Sequence, residues 1–187
     1  MGEVIARAMN SKGAVTADFM SLPSFSEQSF VFANGHFMQL SIPGAHAMAG
    51  GIDDSGVIAG AFGITPLSLL TAGVFIYDDT GFHNLGTAFG GLPAEEDAVA
   101  DINNGGVIVG GSELAVSPFV SGWVYFPGQS FANVNSLIDP GSGWSLQGCR
   151  AINAAGAILG EGTISGRYDA FLLTPVPEPS TRCCSLP

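Results

Sequence analysis

Short apolar stretches separated by Gly, Asn and Asp dominate the hydrophobic pattern of this chain. The segment 52–60 (IDDSGVIAG) recurs fifty residues later as 102–110 (INNGGVIVG) and again as 152–160 (INAAGAILG). A weaker copy, 9–17 (MNSKGAVTA), precedes them. Each copy places a polar turn between two apolar stretches, which is the pattern of a β-hairpin. The repetition predicts tandem β units rather than long helices.

Two positions of each hairpin carry the turn chemistry. An Asn or Asp at the first turn position can accept hydrogen bonds from the following backbone, and a Gly three residues later can adopt a positive φ. The predicted structural turns use Asn10 with Gly13, Asp53 with Gly56, Asn103 with Gly106, and Asn153 with Gly156. A phosphate-binding loop is the functional alternative. Such a loop leads into a helix, whereas these turns lead into β-rich strands, so turn chemistry is favoured.

A second hairpin recurs between the first ones, at 30–40, 75–85 and 124–134. Alternation places the aromatic or β-branched residues of each outgoing strand on one face, and Phe37, Phe82 and Phe131 enter the return strands. A fourth copy begins at 170–173, where Pro175 and Pro177 interrupt it because proline cannot donate to a strand ladder.

Two hairpins give each unit about four short strands, and one such sheet cannot bury both of its faces alone. The predicted fold is therefore all-β: tandem two-hairpin repeats forming a β-propeller-like domain of about four blades, complete or incomplete, with a β-solenoid as the alternative. A repeat domain at 1–174 would contain units near 8–40, 50–86, 99–137 and 149–174, followed by a Pro-rich tail at 175–187. The longer connections, expected at the rims, are 61–73, 87–97, 112–121 and 137–148.

Composition supports this class and narrows the partners. The 187 residues include 27 Gly and 13 Phe with only 11% charged residues, which suits tight turns between apolar strands. A formal net charge of −11 would repel phosphate backbones, so nucleic acid is not an expected partner. No stretch is long and apolar enough for a membrane span, and residues 1–11 show no signal-peptide pattern.

Residues that could carry chemistry are few. No nucleophile with a base and an orienting group is recognisable, so the protein is predicted not to be an enzyme and to hold no cofactor. Three cysteines without C-x-x-C spacing predict neither a zinc site nor a disulfide framework. The histidines, explained by turn and strand positions, are His36, His46 and His83.

Paired acidic residues leave calcium as an alternative, because this ion prefers carboxylate and carbonyl oxygens. The pairs are Asp53-Asp54 and Asp78-Asp79, with a third group at 95–97. None has the spacing of a calcium loop, and another copy of the repeat has Asn at both positions of the first pair. Turn chemistry is therefore predicted, with no metal.

Three aromatic residues in the predicted rim connections could stack on sugar rings: Phe62, Phe89 and Trp144.

Two motifs carry a resemblance to known families. The run 84–91 (NLGTAFGG), followed by 98–103 (AVADIN) and 106–110 (GVIVG), resembles the HAF family of extracellular repeats, and the match extends over 9–174. The segment Val176-Pro177-Glu178-Pro179 with the following Ser and Thr resembles the opening of a PEP-CTERM sorting motif. In that family a membrane helix and an arginine cluster follow, and an exosortase removes the signal during export in Gram-negative bacteria, many of which make exopolysaccharide.

The resemblance implies a non-catalytic, exported or surface-associated structural or adhesive protein, linked to the extracellular matrix or exopolysaccharide. A carbohydrate- or ligand-binding propeller module is the alternative. The implied partners are exopolysaccharide or another surface polymer, and an exosortase if the full sorting signal exists. Residues 182–187 contain no apolar helix and no basic cluster, so we expect the recorded chain to be truncated or frame-shifted at its ends.

Overall fold

The computed structural model describes residues 2–22, 24, 26–44, 46–63, 71–89, 95–114 and 117–176. Within these residues the chain forms β-strands and two short 3-10 helices, Val134–Leu137 and Pro140–Ser142, with no α-helix. The prediction of an all-β chain with a repeat-like architecture is confirmed. No helix in the described part of the chain is long and apolar enough to cross a membrane.

The strands form four small antiparallel sheets, each built from consecutive strands. The first sheet contains β1 (Gly2–Met9), β2 (Val15–Ser21), β3 (Ser26–Ala33) and β4 (His36–Gln39). The second contains β5 (His46–Ile52), β6 (Ile58–Gly63), β7 (Thr71–Asp78) and β8 (Gly81–Gly86). The third contains β9 (Glu95–Ile102), β10 (Ile108–Leu114), β11 (Ser117–Tyr125) and β12 (Phe131–Asn133). The fourth contains β13 (Trp144–Ile152), β14 (Ile158–Ile164) and β15 (Arg167–Leu173).

All four predicted connections are shorter than expected, since β9 begins within 87–97 and β13 within 137–148. Strands β6 and β7 extend into 61–73, where Phe62 pairs with Gly73, and strands β10 and β11 extend into 112–121, where Ser112 pairs with Ser121. Phe62 is therefore a buried strand residue and not a rim residue.

Each sheet repeats the same irregularity in its first strand. The register of β1 skips one residue at Arg7, and the registers of β5, β9 and β13 skip one at Gly50, Ala100 and Arg150. All four lie three residues before the Asn or Asp of the following turn. A bulge bends and twists its strand, so the same bend recurs at the same place in every unit.

An aromatic ring lies over a glycine at the centre of the last three sheets. The pairs in register are Gly60 with Phe75, Gly110 with Trp123, and Gly160 with Phe171. A Cβ added at Gly110 would come within 2.4 Å of the Trp123 ring and 2.1 Å of the Ala98 carbonyl oxygen. These glycines therefore make room for the ring and for the adjacent strand.

The sheets pack one after another, and the first strand of each later sheet lies against the sheet before it. Strand β5 contacts β1, β2 and β3; strand β9 contacts β5, β6 and β7; strand β13 contacts β9, β10 and β11. One apolar cluster fills each of the three junctions. We call the face toward the preceding sheet the upstream face and the other the downstream face. Among the described strands, the fourth sheet makes no comparable contact with the first.

Candidate functional site

The recurring polar residues of the repeat form four turns of the same geometry, each between the first two strands of a sheet. The side-chain oxygens of Asn10, Asp53, Asn103 and Asn153 accept the backbone N–H four residues on, at 2.9, 2.9, 3.1 and 2.9 Å. The closing glycines Gly13, Gly56, Gly106 and Gly156 have φ of 79°, 96°, 74° and 81°. Each closing glycine also donates its N–H to the carbonyl of the first turn residue.

Hydrogen bonds join these turns to one another. The Asn10 Nδ2 donates to the Asp53 carbonyl at 2.8 Å, and the Asn103 Nδ2 donates to the Asn153 carbonyl at 3.1 Å. Between the second and third turns, the Asp54 N–H donates to Asn104 Oδ1, and Asn104 Nδ2 donates back to Asp54 Oδ2, both at 2.9 Å. We call this row of joined turns the turn ladder.

The carboxylates of the turn ladder are engaged within it. The Asp53 Oδ1 accepts from the N–H and hydroxyl of Ser55 and from the Val57 N–H. Hydrogen bonds from the Ser11 hydroxyl and then the Asn104 amide lower the pKa of Asp54. Within the described residues no group of three or more His, Cys, Asp or Glu side chains could hold a metal ion. The ladder geometry favours turn chemistry over a calcium site for these residues.

A cluster of charged side chains, with two buried carboxylates and a partly exposed arginine, lies at the junction of the first and second sheets. The Arg7 Nε donates to Asp18 Oδ2, and its guanidinium lies 3.8 Å from Glu27. The Ser29 hydroxyl donates to Asp18 Oδ1 at 2.6 Å, and the Ala49 N–H donates to the same oxygen at 3.2 Å. Glu27 thus interacts with the Arg7 guanidinium, whereas Asp18 interacts with Arg7 and also bonds the second sheet. We call this group the ionic cluster.

His46 extends the ionic cluster, with its Nε2 3.0 Å from Glu27 Oε2. Its Nδ1 is buried without a hydrogen-bond partner among the described residues. A cavity of about 150 Å³ beside Arg7 is otherwise lined by small and apolar residues of the second and third sheets. Because its cation is already balanced by two carboxylates, the cluster is suited to fixing one sheet on the next.

The other predicted candidates lie apart from this cluster. His36 is exposed in β4. His83 Nε2 lies 2.7 Å from the Thr80 hydroxyl and 3.2 Å from Asp78 Oδ1 on the surface. The pKa of Asp78 is lowered, chiefly by the hydroxyl and N–H of Thr80. Trp144 begins β13 and contacts Phe171 edge to face, with ring centroids 6.3 Å apart.

The ionic cluster was not predicted from the sequence, although the sequence contains a signal for it. Arg7 and Asp18 are eleven residues apart, and the only other unit with opposite charges at these two positions is the last, where Arg150 donates to Glu161. Such a spacing places the two side chains on neighbouring strands and on the same face, once the turn between the strands is known.

Of the sorting motif, Val176 is exposed, and Pro177, Glu178 and Pro179 lie outside the described residues.

Cys149 lies in the junction of the third and fourth sheets, and burial raises the pKa of its thiol to about 12. Because the thiolate is the reactive form, we expect no reaction with a disulfide reagent at pH 8 while the protein is folded. In a variant with Cys183→Ser and Cys184→Ser, a single equivalent should react only after denaturant is added. Rapid labelling of the folded variant would mean that the two sheets separate readily.

A scan against protein-family models finds no match for this chain, and a search of the curated proteins finds no relative.

Proposed function

We propose that this protein is a non-catalytic structural or adhesive repeat protein of the bacterial cell surface, associated with the extracellular matrix or exopolysaccharide. The observation that carries the proposal is the turn ladder, because polar side chains of the recurring turns bond the turns of neighbouring units. A catalytic repeat would instead direct recurring polar groups into a cavity. The sorting-like motif at 176–179 supports export.

We also propose that the four sheets are consecutive blades of a propeller-like series. Strand pairing stays within each unit, which favours blades over a solenoid whose strands pair between repeats. The order of contacts, in which the first strand of each sheet lies on the sheet before it, supports the same arrangement.

Surface exposure on intact cells tests the proposal. An epitope-tagged copy should be produced in the bacterium that encodes the protein, from its own locus and flanking DNA. Protease added to intact cells should remove the tag signal, while a cytoplasmic marker stays intact. The purified protein should also co-sediment with exopolysaccharide from that strain. Protection of the tag until the cells are lysed would contradict the surface assignment.

A carbohydrate-binding module remains the second candidate because of one feature. A shallow, mainly apolar hollow of about 240 Å³ has Trp144 and Phe171 in its wall, with Ser142 at its side. Aromatic rings of this kind stack on sugar rings, and a hydroxyl can orient them. Binding to defined oligosaccharides that is lost in Trp144→Ala, with unchanged stability, would favour this function over a purely structural role.

A further inference from the structure

The downstream face of the fourth sheet is open, although the same positions are covered in the other sheets. Leu159 is 47% exposed, whereas Ala59 and Val109, its counterparts in the second and third sheets, are fully buried. Leu172 is 64% exposed, whereas its counterpart Val124 is fully buried. In each earlier sheet the downstream face is covered by the next sheet. The fourth sheet therefore exposes an apolar face of the kind that forms one side of each junction.

The upstream face of the first sheet presents the other half. Met9 is 70% exposed, whereas the isoleucine at the same position is buried in every later sheet. Phe37 is 73% exposed, although its counterparts in β8 and β12 pack into the junction clusters. An entirely apolar hollow of about 250 Å³ lies on this face between Val4, Phe30 and Phe37.

The open face of the fourth sheet carries an ion pair at the positions that the first sheet uses in its junction with the second. On the fourth sheet, Arg150 donates to Glu161, as Arg7 donates to Asp18 on the first sheet. The Asp18 carboxylate accepts the N–H of Ala49 from the covering strand. Glu161, at the position of Asp18, also contacts Tyr168, and its carboxylate lies where a strand over the fourth sheet would place the equivalent N–H.

The turn ladder ends in a donor on one side and an acceptor on the other. Asn10 and Asn103 each donate their Nδ2 to the carbonyl of a following turn. The Nδ2 of exposed Asn153 has no such acceptor among the described residues, while the Asn10 carbonyl accepts only the Gly13 N–H within its own turn. A second copy could therefore continue the ladder in register.

We propose that two copies of this chain associate head to tail, with the upstream face of the first sheet of one copy on the downstream face of the fourth sheet of the other. The interface would repeat the junction that the chain already forms three times internally. A heterologous contact of this kind yields a ring if the rotation closes and a filament if it does not. This inference does not depend on the proposed function.

Mass measurement by light scattering over a range of concentrations tests the proposal on the full chain. The unaltered protein should reach at least twice the monomer mass. Phe37→Glu, which places a charge on the first-sheet face, and Leu172→Glu, which places one on the fourth-sheet face, should each remain monomeric. Leu137→Glu replaces another exposed leucine, outside both faces, and should assemble normally. Circular dichroism melts would verify that every variant folds.

Mixing the two blocked variants separates head-to-tail association from symmetric pairing. The Phe37→Glu copy keeps an intact fourth-sheet face and the Leu172→Glu copy an intact first-sheet face, so an equimolar mixture should form a heterodimer and stop there. If either variant alone formed a dimer, the contact would join two identical faces and the proposal would be wrong. A monomer at every concentration for the unaltered chain would also overturn it.

Discussion

Replacing Gly110 with alanine is expected to destabilise the protein by about 3 kcal/mol, the upper range for an overpacked core position. The new methyl group would lie 2.1 Å from the Ala98 carbonyl oxygen and 2.4 Å from the Trp123 ring. The carbonyl belongs to the strand paired with β10, so it cannot move without breaking that pairing. The ring is fully buried. Urea unfolding followed by tryptophan fluorescence measures the loss.

Gly148→Ala is the matched control for this substitution. Gly148 is also a buried strand glycine, yet its added methyl group would find its nearest neighbour, Glu161 Oε1, at 3.8 Å, an ordinary contact. Its free energy of unfolding should change by less than about 0.5 kcal/mol. Equal losses in the two variants would mean that flexibility, rather than space for Trp123, explains these glycines.

The repeat made the fold class and its turns accessible from sequence, because both depend on local chemistry. The position of Asn103, three residues before Gly106 and after an apolar stretch, is enough to predict a turn. The bond from Asn103 Nδ2 to the Asn153 carbonyl could not be predicted, because it depends on how two sheets stack. Local chemistry is enough to predict the strands and turns of one unit, whereas contacts between units depend on how the sheets pack.

The same distinction explains the ionic cluster and the strand lengths. Asp18 looks like a surface residue in a short strand until the second sheet is placed over it, which buries the carboxylate. Phe62 looks like part of a connection until β6 is paired with β7, where it lies opposite Gly73. Contacts with other strands decided both positions, and a single sequence without aligned relatives contains no direct record of them.

Asp18→Ala is expected to cost about 2 to 3 kcal/mol, because it removes a buried carboxylate that accepts a buried N–H and pairs with a partly exposed guanidinium. Asp18 is 1% exposed and accepts hydrogen bonds from Arg7, Ser29 and the Ala49 N–H. The substitution would leave the Ala49 N–H without its acceptor, the Ser29 hydroxyl with only the Ala47 carbonyl, and the guanidinium with only Glu27, 3.8 Å away. Thermal and urea unfolding would measure the loss.

Asp169→Ala provides the control, since its partner Arg167 lies 3.1 Å away on the surface, where the two side chains are 78% and 48% exposed. Exposed pairs contribute less than about 1 kcal/mol, so this variant should remain close to the unaltered protein. Hydrogen exchange adds a structural test. The amide of Ala49 should lose protection in Asp18→Ala, because its acceptor is removed, while the amides of the third and fourth sheets keep theirs. Uniform loss of protection across all four sheets would show instead that the ionic cluster supports the whole series rather than the first junction alone.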